Sequence, residues 1–189
     1  IHAKENRMKK LAFVLLTSLA TSSFSHNLQL DTPLPYVSVQ TDGEVIIHNG
    51  SINYKNWESP ALAGKVRVLQ HMAGRSSVKE KNDGLMEMIK AQRFDASKYQ
   101  TTTIINAEDA IFGTGAFVKS SAEKGKKNNP HSQVILDQTG QVKKDWGLQP
   151  KESLIVVLDK SGKVKFAHEG KLSEQQMNQV IELIKNLVQ

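Results

Sequence analysis

Ser76-Ser77-Val78-Lys79, with Arg75 just before it, is the stretch whose residue types and spacing could do chemistry. A lysine three residues after a serine comes to lie beside it after one helical turn and can help draw off the hydroxyl proton, as in Ser/Lys hydrolases. The motifs that should support such an enzyme are out of place. Lys160-Ser161-Gly162 falls in a hairpin-turn signal, and Ser51-Ile52-Asn53 precedes the serine instead of following it. Hydrolysis at Ser76/Lys79 therefore stands as the alternative reading, and no catalytic residue is assigned. The same residues also read as a helix start. Ser77 and Glu80 have the capping-box form, in which the serine oxygen takes an orphan amide and the glutamate reaches back to the cap. Free amides, the positive end of the helix dipole and Arg75 together make a candidate dock for a phosphate, sulfate or carboxylate.

Other chemistries are thinly supported or excluded. The chain has no cysteine, so it can neither form a disulfide nor hold zinc through thiolates. His26, His48, His71, His131 and His168 are not at ligand spacing from one another. A weak candidate remains in His26, which could chelate copper with its own amine if it became the N-terminal residue. His71, near the end of a strand, is expected to be satisfied or partly exposed. Lys119, Lys124, Lys126, Lys127, Lys143 and Lys144 are the main basic concentration, and solvated faces account for them. No cofactor is called for.

Residues 8–25, MKKLAFVLLTSLATSSFS, carry two lysines, a short apolar run and small residues, which is the anatomy of a secretory signal peptide cleaved after Ser25. Met8 reads as the natural start, with residues 1–7 upstream of it. The apolar run is well short of the roughly 20 residues that span a bilayer, so no transmembrane anchor is expected after cleavage. Removing residues 1–25 halves the formal net charge from +6 to +3, which weakens any case for nucleic acid as a partner. Residues 26–189 are long enough for a single domain with a real core. Export, with a Gram-negative periplasm as the compartment, is the expected localisation.

The elements that must position Arg75 to Lys79 can be read from patterning. LPYVSVQ (34–40) and TDGEVIIH (41–48) read as two strands of a hairpin turning at Asp42-Gly43. YKNWESPALAGK (54–65) reads as a linker or a short helical turn, and VRVLQHM (66–72) as a buried strand. A helix from Ser77 carries Val78, Leu85, Met86 and Ile89 on one face. YQTTTIINA (99–107) is a β-branched strand, and residues 117–129 form a weak helix ending in a Lys-rich loop. VILDQTGQV (134–142) and VVLDKSGKV (156–164) look like two matching Asp-x-x-Gly turns. LSEQQMNQVIELIKNLV (172–188) is a strong helix, with Ser173 and Gln176 as a second capping box. This order predicts an α/β fold, a mixed sheet with helices on both faces.

GKVRVLQHMAGRSSVKEKN (64–82) resembles the strand, turn and nucleophile helix of thioredoxin-like redoxins, where the turn leads into Cys-x-x-Cys. TPLPYVSVQTDGEV and the segment from Ser132 to Gln176 are similar to the redoxin lead-in and to its closing strands and helix. GKVRVLQH, AGR, KEKN and YQTTTI resemble, more closely, the YtfJ family of exported thioredoxin-like proteins. The resemblance implies a thioredoxin-like mixed sheet and an exported location, and supplies no activity. It places Ser76 at the attacking-cysteine position, Lys79 at the resolving position and Ser153 where redoxins hold a cis-proline. A chain of this kind reads as a non-redox binding or interaction module. Its candidate surface is Arg75, Ser76, Ser77, Lys79 and Ser153, and its partner another periplasmic protein or a small anion.

Overall fold

The computed structural model describes residues 26–189, so the signal-peptide reading of residues 8–25 lies outside the described residues. Seven strands form one mixed sheet in the order β2-β1-β5-β4-β3-β6-β7. They are β1 Ser38–His48, β2 Ser51–Glu58, β3 Val66–Ala73, β4 Tyr99–Asn106, β5 Gln133–Asp137, β6 Ser153–Leu158 and β7 Val164–Glu169. The central strands β3, β4 and β5 run parallel, and β1, β6 and β7 pair antiparallel outside them. Parallel neighbours need crossovers. Helix α1 (Ser76–Gln92) carries the chain from β3 to β4, and α2 (Gly115–Asn128) carries it from β4 to β5.

Because side chains alternate along a strand, the sheet separates two cores. On one face Val66, Val68, Ile155 and Val157 pack with α1 and with α4 (Glu174–Leu187), and Met72, Ile105, Val134 and Leu136 pack with Ala122 of α2. The other face holds Leu69, Ile104, Ile135 and Val156 against the N-terminal segment and α3 (Gln141–Trp146). Trp146 is fully buried there, and its Nε1 donates to the Pro35 carbonyl at 2.9 Å. The expected mixed sheet with helices on both faces is the observed one. The Ser173/Gln176 capping box is also present, opening α4 with both of its hydrogen bonds formed.

Four local expectations are corrected. Residues 38–48 are one strand, and the hairpin turns at Asn49-Gly50. Asp42 and Gly43 instead form a bulge, with φ of 62° and 84°, that lets β1 pair with β2 on one side and β5 on the other. Residues 54–58, read as a linker, belong to β2, and only Ser59–Leu62 is helical, as a 3₁₀ turn. The two Asp-x-x-Gly segments also diverge. Asp159 Oδ1 accepts the Ser161 and Lys163 amides and closes the β6–β7 hairpin, whereas Asp137 Oδ2 accepts the Val142 amide and starts α3. Finally, α1 begins at Ser76 with Arg75 as its N-cap and no side-chain cap, so the Ser77/Glu80 capping box does not form. The Arg75 amide bonds to the Ala73 carbonyl at 2.7 Å, and this tight exit from β3 brings the helix in one residue early.

Candidate functional site

A cleft of about 420 Å³ opens between the start of α1 and the length of α2. Its floor is the sheet: Met72 of β3, Thr103 and Ile105 of β4 and Val134 of β5. The β3–α1 turn can approach α2 this closely because residue 74 is glycine. A Cβ there would meet Val118 Cγ1 at 3.0 Å and the Asn106 carbonyl at 3.3 Å. The wall formed by α2 is fixed from behind, where the Tyr54 hydroxyl donates to Glu123 at 2.6 Å and Lys119 Nζ sits 4.8 Å from the Tyr54 ring centre.

Arg75 and Ser76 line one end of the cleft. The Arg75 Nε donates to the Asp109 carbonyl at 2.6 Å, which uses one of its donors and holds the guanidinium at the rim. This bond goes to a backbone oxygen on the 3₁₀ turn Ala107–Asp109. Burial pushes the Asp109 carboxyl up, but the Lys151 amide and Lys143 outweigh that and hold it below the usual range, with the Arg75 charge adding to the effect. The amides of Val78 and Lys79 both turn to the Arg75 carbonyl, which leaves the amides of Ser76 and Ser77 at the helix start for solvent or a ligand.

Lys79 also lines the cleft, but its Nζ pairs with Asp83 Oδ1 at 3.0 Å along the exposed side of α1. Among the described residues no hydrogen bond joins it to Ser76. Ser77 is exposed beside it. Ser153 is not on an accessible loop. It is 2% exposed at the start of β6, and its hydroxyl donates to Asn82 Oδ1 at 2.9 Å. His26 Nδ1 accepts the Leu28 amide at 3.2 Å. Among the described residues, no three of His, Cys, Asp and Glu stand together as a metal would need.

His71 departs from the reading of a satisfied or partly exposed side chain. It is buried on the α3 face with no partner for Nε2 among the described residues, and burial pulls its pKa down to about 4, the Asp109 charge pulling it back up and Lys143 adding to the depression. The lysine concentration is dispersed by the fold: Lys119 pairs with Asp42, Lys143 with Asp109 and Glu108, and Lys144 with Glu108.

Sequence reasoning missed the apolar side of the site. Ile111 and Phe117 line the cleft, yet they are 55% and 76% exposed, and Phe112 between them is fully exposed. The signal was there in AIFGTGAF (110–117), where bulky apolar residues fall in a glycine-punctuated loop. A contiguous exposed apolar patch of this kind marks a binding surface more often than a packing one.

With the sheet order and the cleft in view, the chain has a thioredoxin-like fold. It is similar in fold to a candidate protein disulfide isomerase from Bacteroides thetaiotaomicron, with a TM-score of 0.59 at 17% identity, over 88% of this chain and 94% of the other. Residues 28–187 match the family YtfJ_HI0045, described as a bacterial protein of unknown function, and the chain belongs to that family. An uncharacterized Haemophilus influenzae protein is 52% identical over 182 residues, covering 95% of this chain and 99% of its own. YtfJ of Escherichia coli, also described as uncharacterized, is 40% identical over 181 residues, covering 96% and 98%. Ser76 and Lys79 line the α1 end of the cleft, and a chain without cysteine does no thiol chemistry. No helix among the described residues is long and apolar enough to cross a membrane.

Proposed function

We propose that this protein is a non-redox binding module that works after export, in the periplasm, and holds an amphipathic carboxylate in the α1–α2 cleft. The observation that carries the reading is the polarity of that cleft. An apolar floor and wall of Met72, Ile105, Val134 and Phe117 end at Arg75 and at Ser76, whose amide has no partner among the described residues. Its volume lies within the range of small-molecule sites, about 300–1,000 Å³, which are mostly apolar with a few placed polar groups. An apolar chain fills the floor, and an anionic head meets the helix start. Export is supported by the signal-peptide pattern of residues 8–25.

Decanoate tests the reading by titration calorimetry and amide-shift mapping. Saturable binding is expected, with shifts at residues 72–79, 103–105 and 117–134, and with decanol binding about two- to tenfold more weakly because it lacks the charge that the helix end favours. Arg75→Glu should weaken decanoate and affect decanol less. Absence of saturable binding, or shifts confined to another surface, overturns it. For the compartment, a mature protein starting at His26 in the periplasmic fraction is the expected mass-spectrometric result.

A further inference from the structure

Four buried polar side chains form a continuous relay from β6 to the floor of the cleft. The Ser153 hydroxyl donates to Asn82 Oδ1 at 2.9 Å, Asn82 Nδ2 donates to Gln70 Oε1 at 3.2 Å, and Gln70 Nε2 donates to Thr103 Oγ1 at 2.9 Å. All four are at least nine-tenths buried, with Ser153 and Asn82 at 2% exposure. Of the four, only Thr103 lines the cleft.

The direction of the relay is set by its two ends. Each hydroxyl has one proton to donate. Run from Ser153 to Thr103, every bond is made and the last proton, on Thr103, opens onto the cleft. In the reverse direction Thr103 would donate to Gln70, and the leftover proton would belong to Ser153, sealed away from water. An unsatisfied buried donor costs about 1–3 kcal/mol, so the outward direction wins. Thr103 therefore presents a donor, oriented from behind, among the apolar side chains of Met72, Ile105 and Val134.

We infer that Thr103 is a specificity-determining residue: the ligand carries, within its apolar body, a neutral hydrogen-bond acceptor such as a ketone, ester or amide carbonyl that meets the Thr103 hydroxyl. Ser153, Asn82 and Gln70 are positioning residues that act through it. This rests on the reading of the cleft as the site for an amphipathic carboxylate. A saturated chain would bury the Thr103 donor without a partner, whereas a carbonyl at the right carbon completes the relay. The site thereby rejects plain acyl chains in favour of oxygenated ones.

The test compares decanoate with oxodecanoates bearing the ketone at successive carbons, reading the ratio of their affinities. One position of the ketone is expected to bind about tenfold more tightly than decanoate, with its carbonyl stretch lowered in the infrared spectrum of the complex. Thr103→Val should bring that ratio to about one and remove the infrared shift, and Thr103→Ser, which keeps the hydroxyl, should restore both. Ser153→Ala removes the proton whose burial ruled out the reverse direction: Asn82 then leaves one group unpartnered whichever way it turns, so the outward preference weakens and the ratio falls part-way, an effect a purely structural serine would not have. If neither class of probe binds, the cleft reading fails and the inference falls with it. If decanoate binds but no ketone position gains, or Thr103→Val leaves the ratio standing, the inference alone is overturned.

Discussion

Two buried polar networks cross this sheet on opposite faces, and they differ in how they end. On the α3 face Arg67 donates to the Leu62 carbonyl at 2.6 Å, to Gln100 Oε1 and to Thr102 Oγ1 at 3.1 Å. Thr102 in turn donates to Gln133 Oε1 at 2.9 Å, and Gln133 Nε2 donates to Glu44 Oε1 at 3.2 Å. The chain of bonds runs from β3 through β4 and β5 to β1. Burial lowers the guanidinium pKa, and the Glu44 charge pushes it back. Its far end is an acceptor already in place, so the network is complete without a ligand. The Ser153–Thr103 relay is neutral and ends in a proton facing a cleft. A closed network fixes strands together, whereas an open one states what its ligand must be.

The largest expected effect is on the closed side. Arg67→Met strips the partner from Gln100, Thr102 and the Leu62 carbonyl at once, and should cost about 3 kcal/mol or more in urea unfolding, with the decanoate-to-ketone ratio unaltered. Next comes His71 on the same face, whose folded-state pKa of about 4 lies below its ordinary 6.5. Because the unfolded chain takes up this proton first, stability is fully present above pH 6.5 and is lost as pH falls towards 4, by about 3 kcal/mol. Unfolding free energies measured at half-unit pH steps should show that loss, and His71→Leu should flatten this part of the profile.

On the open side the effects on stability shrink. Ser153→Ala should cost about 1 kcal/mol in the same unfolding assay. Its effect should be non-additive with Thr103→Val by about 0.5 kcal/mol or more, and additive with Arg67→Met, since only the first pair shares a network. Smallest of all is Phe117→Ser at the cleft rim, expected within about 0.5 kcal/mol of the parent. Its mark would be weaker decanoate binding. A cleft-side change that cost as much stability as Arg67→Met would erase the distinction between the two sides.

Most of the fold was legible in the sequence because strands β3, β4 and β6 are buried or β-branched runs and helix α4 carries a strong periodic stripe. What was misread turned on chemistry of the same spelling. Asp137-x-x-Gly140 and Asp159-x-x-Gly162 share a spacing, but Val142 and Trp146 are four apart and fully buried, which makes the first segment a helix start. The candidate site was legible at Arg75 and Ser76, which a local helix start betrays. Thr103, Gln70 and Asn82 were not, because their partners lie 12 to 71 residues away in the chain. Ser153 was singled out by its likeness to a redoxin proline position, and its hydroxyl points inward to Asn82, away from the exposed surface first expected of it.

The bulge at Asp42-Gly43 decides more than the path of one strand. Residues 40–43 stand opposite Asn56 alone, and a Cβ on residue 43 would meet the Lys55 carbonyl oxygen at 2.3 Å, so this bulge is accommodated only with glycine at 43. Beyond it Glu44 pairs in register with Ile135, on the face where Gln133 needs an acceptor. Losing one residue here would invert the rest of β1, turning Glu44 towards the cleft side and Val45 towards the other core. Length is therefore a requirement on this stretch beside its glycine, since a one-residue deletion would take Glu44 off the face of Gln133.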